Sequence, residues 1–168
     1  MNRTLAVHVE NKPGVLARIS SLLARRGFNI HSLAVGPSHE PGMSRMTIVV
    51  EAPELEQVKK QLHKLVNVVK ISELAPSQSV ERELALIRVH APSGKRTEIL
   101  ELASLFDAKP VDVGQHSIGF QVTGAPEQID DFVELVQVHG LVDLVKSGSI
   151  AMGKEPKKRN KSNRLRAV

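Results

Sequence analysis

Thr-Leu-Ala-Val-His-Val-Glu-Asn-Lys-Pro-Gly-Val-Leu-Ala-Arg-Ile, residues 4–19, changes its hydrophobic period once, and the change predicts the fold. Leu5, Val7 and Val9 alternate, as on a half-buried strand. Asn-Lys-Pro-Gly (11–14) is a turn and helix-start signal, with Pro near the first helical position. Val15, Ile19, Leu22 and Leu23 then fall on one helical stripe of about three turns, and Gly27 stops it. Outward from there, Phe28 and Ile30, then Leu33 and Val35, make a second strand. Its apolar phase switches between 30 and 33, which predicts a bulge or kink. Residues 36–42 hold two Pro and two Gly and read as a mobile loop. Met46, Ile48 and Val50 form a third strand. Pro53 opens a second helix with Leu55, Val58, Leu62 and Leu65 inward, and 68–74 is a fourth strand.

After the polar stretch 75–82 the order repeats. Residues 84–89 read as a strand and 95–106 as a helix. Residues 111–113 and 117–122 make a hairpin turning at Gly114, Gln115 and His116. A helix over 125–136 and a last strand over 141–150 follow; Glu127, Asp130 and Asp131 read as solvated charge on that helix. The expected fold class is α+β: two tandem ferredoxin-like βαββαβ units, each an antiparallel sheet with helices on one face. The expected divisions are a first unit at 1–76, a linker at 77–83, a second unit at 84–153 and a basic, disordered tail at 154–168. Helices cover one face only, and a unit of ~75 residues buries little core alone. The open face and sheet edges therefore need a partner, most simply in a symmetric homodimer.

Composition narrows the function. The chain has 168 residues with four Phe and neither Trp nor Tyr, so its cores must be aliphatic. It has no Cys, which removes disulfides, thiolate metal sites and cysteine nucleophiles together. The seven His stand at 8, 31, 39, 63, 90, 116 and 139, and none pair at zinc-ligand spacing. No Ser/His/Asp set, phosphate-binding loop or dinucleotide fingerprint is present, so nothing argues for catalysis. The net charge is +5, but seven basic residues against Glu155 put +6 into 154–168 and leave the rest at −1. The folded part is near neutral and poor in aromatics, so nucleic acid is not the expected partner. No segment approaches the ~20 apolar residues that cross a bilayer, and no secretory leader is evident, so a cytoplasmic protein is expected.

Asn11 and Gly14 are the residues that suggest chemistry. A helix N-terminus offers free N–H groups and partial positive charge, and a Gly there lets a carboxylate approach the backbone. Asn11 has both an acceptor and a donor, which suits the two ends of an amino-acid zwitterion. On the residues alone, a helix start with a capping Asn11 and Pro13 is the favoured explanation. Asn29 sits in a polar gap with His31 and Ser32, either as a turn residue or as a polar group facing an interface.

Several motifs together carry a resemblance. They are Val-Glu-Asn-Lys-Pro-Gly-Val-Leu-Ala-Arg (9–18), Arg-Arg-Gly-Phe-Asn-Ile-His-Ser-Leu (25–33), Ser-Arg-Met-Thr-Ile (44–48), Lys-Gln-Leu-His-Lys-Leu-Val (60–66) and Glu-Arg-Glu-Leu-Ala-Leu-Ile (81–87). With them the chain resembles ACT domains, and among these the small regulatory subunits of acetolactate synthase (acetohydroxyacid synthase). The resemblance implies a non-catalytic regulatory subunit in isoleucine and valine biosynthesis. It implies a homodimer with valine, or another branched-chain amino acid, bound between two first units. Asn11, Gly14, Val15 and Leu16 of one chain would then face Asn29 and Ile30 of the other. It implies no cofactor on this chain; thiamine diphosphate, Mg and possibly FAD would sit on a separate catalytic subunit that this one activates. The other readings are a free-standing ACT amino-acid sensor and a nucleic-acid-binding regulator using the basic tail. The tail matches nothing in the resemblance and is expected to be dispensable for regulation.

Overall fold

The computed structural model describes residues 2–51 and 53–155. The first unit runs β1 (Asn2–Glu10), α1 (Val15–Arg25), β2 (Asn29–Pro37), β3 (Met43–Glu51), α2 (Leu55–Leu62) and β4 (Val68–Leu74). The second runs β5 (Ser79–His90), α3 (Arg96–Leu105), β6 (Lys109–Val113), β7 (Ser117–Gly124), α4 (Pro126–Gln137) and β8 (Leu141–Lys146), with a short β9 (Ile150–Gly153) behind it. Strand orders are β2-β3-β1-β4 and β6-β7-β5-β8, with every pairing antiparallel. These are the two expected βαββαβ units.

The periodicities set the cores. Leu5, Val7 and Val9 of β1 meet Met46, Ile48 and Val50 of β3 beneath Val15, Ile19 and Leu23 of α1 and Val58 and Leu62 of α2. Burying each such side chain contributes roughly 1.5–3 kcal/mol. α1 ends as Gly27 predicts: at φ +73°, Gly27 donates its N–H to Ala24 O, and Phe28 donates to Leu23 O, both at 3.0 Å. This is the paired hydrogen bonding of a Schellman stop. The second core gathers three of the four Phe. The Phe132 ring lies 5.3 Å from Phe106 and 6.2 Å, edge to face, from Phe120.

The register of β2 on β3 slips between Ile30 and Ser32, leaving His31 as the extra residue of the expected bulge. Other expectations need correction. β2 continues to Pro37, so the loop is only Ser38–Gly42, closed by Ser38 donating to Met43 O. The expected last strand is two strands, broken where Gly148 takes a left-handed turn at φ +80°. The stretch 77–83 is no free linker. It completes a 3-10 turn (Pro76–Gln78) and enters β5, whose Ser79–Arg82 pair in register with Ile150–Gly153 of β9. Polar residues can form this strand because a second strand supplies the hydrogen bonds.

That ribbon also changes the picture of the open face. β9 lies against β1 and β4 on the side away from the helices, and Arg45 donates from Nη2 to Ala151 O at 2.7 Å. Ala6 and Thr47 on that face are consequently only 1% and 3% exposed. The chain thus roofs part of its own first sheet, and the edges, of which β2 is one, are what remain open to a second strand. Residues 156–168, most of the expected basic tail, lie outside the described residues.

Candidate effector site

The turn from β1 into α1 is braced from three sides. Asn11 donates its backbone N–H to Gly42 O at 2.8 Å, which fixes the turn against the β2–β3 loop. Glu10 donates its N–H to Asn67 O at 3.0 Å, and Asn67 returns Nδ2 to Glu10 Oε2 at 2.5 Å. Arg18 Nη1 donates to Asn67 Oδ1 at 2.7 Å. The Asn67 amide, and then the Lys12 ammonium at 3.2 Å, hold the Glu10 carboxyl below the usual carboxylate range. Asn67 is the hub of this bracing, and the sequence reading missed it. Its only signal there is a lone polar residue inside Leu-Val-Asn-Val-Val (65–69).

Gly14 is the residue before the helix proper, at φ +83°, with nothing within 4 Å of where a Cβ would stand. Among the described residues no side chain caps α1, so Asn11 is not the cap, and its side chain is exposed. Uncapped first-turn N–H groups at the positive end of a helix dipole suit a carboxylate. Val15 is only partly available: its N–H makes a long 3.4 Å bond to Lys12 O, and its side chain is in the core. Leu16 is 42% exposed. Ile30 is half-buried against the first core, and Asn29 is exposed.

One chain does not bring these residues together. The turn follows Glu10, which pairs with Met43; Asn29 pairs with Glu51, which pairs with Asn2 at the other end of the sheet. The nine residues of β1 separate those ends by roughly 27 Å. Two sizeable clefts lie elsewhere, between the units, and none of the six residues lines either of them.

His8 is on the face opposite the helices. Burial, then the nearby Arg45 and Lys70, push its pKa below the ordinary histidine value, with Glu40 opposing.

Comparison with known proteins matches both units. Residues 5–70 match the AHAS small subunit-like ACT domain, and residues 82–155 match the family described as small subunit of acetolactate synthase. The chain is 51% identical over 160 residues to a probable acetolactate synthase small subunit of Archaeoglobus fulgidus, covering 94% of this chain and all of that one. It is 49% identical over 156 residues to the acetolactate synthase small subunit of Mycolicibacterium smegmatis, covering 92% of each. The crystal structure of the acetolactate synthase small subunit from Thermotoga maritima superposes with a TM-score of 0.86 at 36% identity, over 93% of this chain and 99% of that one. Two matched units in this order, over nearly the whole chain, place it in the acetolactate synthase small-subunit family, of regulatory ACT type.

Proposed function

We propose that this chain activates a separate thiamine-diphosphate-dependent catalytic subunit and makes it sensitive to valine, without catalysing a reaction itself. The observation that supports this reading is the separation of the expected effector residues to opposite ends of a sheet whose edge strand is β2. Unpaired edges are templates for a second strand. Antiparallel pairing of β2 with β2 of a second copy reverses one chain relative to the other. Asn29 and Ile30 of that copy then arrive at the end where this chain carries Asn11, Gly14 and Leu16.

In such a site each residue has one task. The Gly14 amide and the first turn of α1 receive the carboxylate, and the missing Cβ keeps the approach open. Asn11 and Asn29 address the polar ends of the zwitterion. Leu16 and Ile30 enclose a branched apolar side chain, where each buried methylene contributes about 0.8 kcal/mol. Thiamine diphosphate, Mg and FAD belong in this reading to the catalytic polypeptide, and the setting is the cytoplasm. No helix among the described residues is long and apolar enough to cross a membrane.

Reconstitution tests the reading. The catalytic subunit is assayed for acetolactate formation alone, with this chain, and with this chain plus valine, leucine or isoleucine. Faster turnover with the chain, reversed by valine, is the expected result. Unchanged turnover, or activity of this chain alone on pyruvate, would overturn it.

A further inference from the structure

The segment from Glu10 to Arg18 carries Asn11, Gly14 and Leu16, and one side chain from outside it bonds to both of its ends. Asn67, buried in the turn between α2 and β4, donates from Nδ2 to Glu10 Oε2 at 2.5 Å and accepts on Oδ1 from Arg18 Nη1 at 2.7 Å. Its backbone is held independently of these bonds. Asn67 O accepts from Glu10 N–H at 3.0 Å, and the next residue, Val68, pairs with Val9 of β1. Glu10 is the last residue of β1, directly before Asn11. Arg18 donates the backbone N–H that closes the first turn of α1 on Gly14 O, at 3.0 Å. One amide therefore spans the two ends of the segment, donating to a carboxylate and accepting from a guanidinium. Hydrogen bonds with a charged partner are the strong kind.

We propose that Asn67 is a positioning residue for the effector: it holds the 10–18 segment in its binding shape before valine arrives, without touching valine. This rests on the reading that valine binds at Asn11, Gly14 and Leu16. The segment does little to hold itself. Gly14 is the residue type with the freest backbone, and nothing lies within 4 Å of where its Cβ would stand. The backbone bonds inside the turn are one of 3.0 Å from Lys12 N–H to Glu10 O and a long one of 3.4 Å from Val15 N–H to Lys12 O. A loop that must be ordered at the moment of binding costs affinity, and a loop already ordered avoids that cost.

Acting through the segment gives Asn67 a signature of its own. The segment receives the carboxylate and ammonium, which valine, leucine and isoleucine share. Loss of the Asn67 amide should therefore weaken all three by one factor, whereas a change in the apolar wall at Leu16 should alter their order. Loosening should also show in the empty protein, at the backbone amides of Asn11 and Arg18, which donate to Gly42 O and Gly14 O.

Calorimetric titration of the full chain with valine, leucine and isoleucine tests the role, in the wild type, Asn67→Ala, Arg18→Met and the double variant. Asn67→Ala should weaken each amino acid by the same factor, roughly three- to tenfold. Arg18→Met should act in the same direction; Arg18 is exposed, so this variant keeps the test open if Asn67→Ala fails to fold. The double variant should bind no worse than Asn67→Ala, because both changes remove one linkage. Hydrogen exchange at Asn11 and Arg18 should quicken in Asn67→Ala and return toward wild-type rates with valine bound. Phe132→Leu, a change in the other unit, should leave affinity alone. Wild-type affinity in both single variants, whatever their melting temperatures, would overturn the proposal and leave Asn67 a purely structural residue. Weakening of valine alone, or fully additive losses in the double variant, would overturn it too. A wild-type chain that binds none of the three amino acids would sink the valine reading itself, and this role with it.

Discussion

Arg45 and Ala151, 106 residues apart in sequence, are joined where the guanidinium of β3 donates at 2.7 Å to a carbonyl of β9. With the bond from Ser149 to Ser32, it fastens the last strand onto the first sheet. Hydrogen bonds with one charged member contribute about 1.5–3 kcal/mol. Arg45→Met keeps the apolar stem and removes the donor. The amides of Ala151 and Met152 should then exchange with solvent roughly ten- to a hundredfold faster, while those of β7 stay protected. Unchanged exchange in β9 would show that the bond does not hold the strand.

Gly14→Asp should release the holoenzyme from valine and leave activation in place. At φ +83° an L-residue costs about 1–2 kcal/mol. Asp is among the residues that tolerate this backbone best, and the space for its Cβ is open, so the fold survives. The new carboxylate meets the ligand carboxylate, and inhibition should require at least roughly tenfold more valine. Asn29→Ala should act in the same direction, more weakly. Mixed dimers with Gly14→Asp in one chain and Asn29→Ala in the other put both lesions into one site and leave the second whole. If they bind no more valine than dimers carrying both lesions in both chains, the cross-interface assignment fails.

His8 predicts a loss of stability in mild acid. Its folded pKa is lowered from 6.5, first by burial and then by Arg45 and Lys70, with His39 adding slightly and Glu40 opposing. The unfolded chain therefore binds the proton more readily, and stability rises with pH wherever that is so. The contribution is present above the unfolded value of 6.5 and is lost as pH falls through it toward the lower folded value. Melting temperatures should drop between about pH 7 and pH 5, and His8→Asn should flatten that slope. An identical slope in the variant would exclude His8 as its source.

Phe132→Ala should cost about 3–5 kcal/mol. The ring is fully buried and bridges Phe106 and Phe120, so its removal leaves a cavity in the most aromatic part of the chain. Denaturant titration should show the midpoint fall, and Phe132→Leu should recover much of the loss. A shift below about 1 kcal/mol would mean that the second core collapses into the space.

Local pattern decided what could be read from the sequence. The stripe ending at Gly27, the slip around His31 and the turn at Gly114 each follow from residues within one or two turns of chain, and each is found. What was misread depends on distant pairing. Ser79–Arg82 looks like polar linker because its partner, Ile150–Gly153, is about seventy residues away. Ala6 and Thr47 look like the outside of a sheet because nothing local announces the strand above them. Gly14 and Asn11 stand out by residue type, whereas Asn67 matters only through the side chains it joins. Ser149 and Glu81 are ordinary polar residues until folding places both on the walls of one cleft.

The roof over the first sheet is made from residues that a ribosome adds long after the sheet itself. At roughly 5–20 residues per second, about seventy-five residues take several seconds, and during that interval Ala6 and Thr47 have no cover from β9. A premature stop anywhere before Ile150 makes that nascent state permanent. Nonsense mutations late in the reading frame are therefore expected to produce a chain whose first unit is complete in sequence yet prone to aggregate during synthesis.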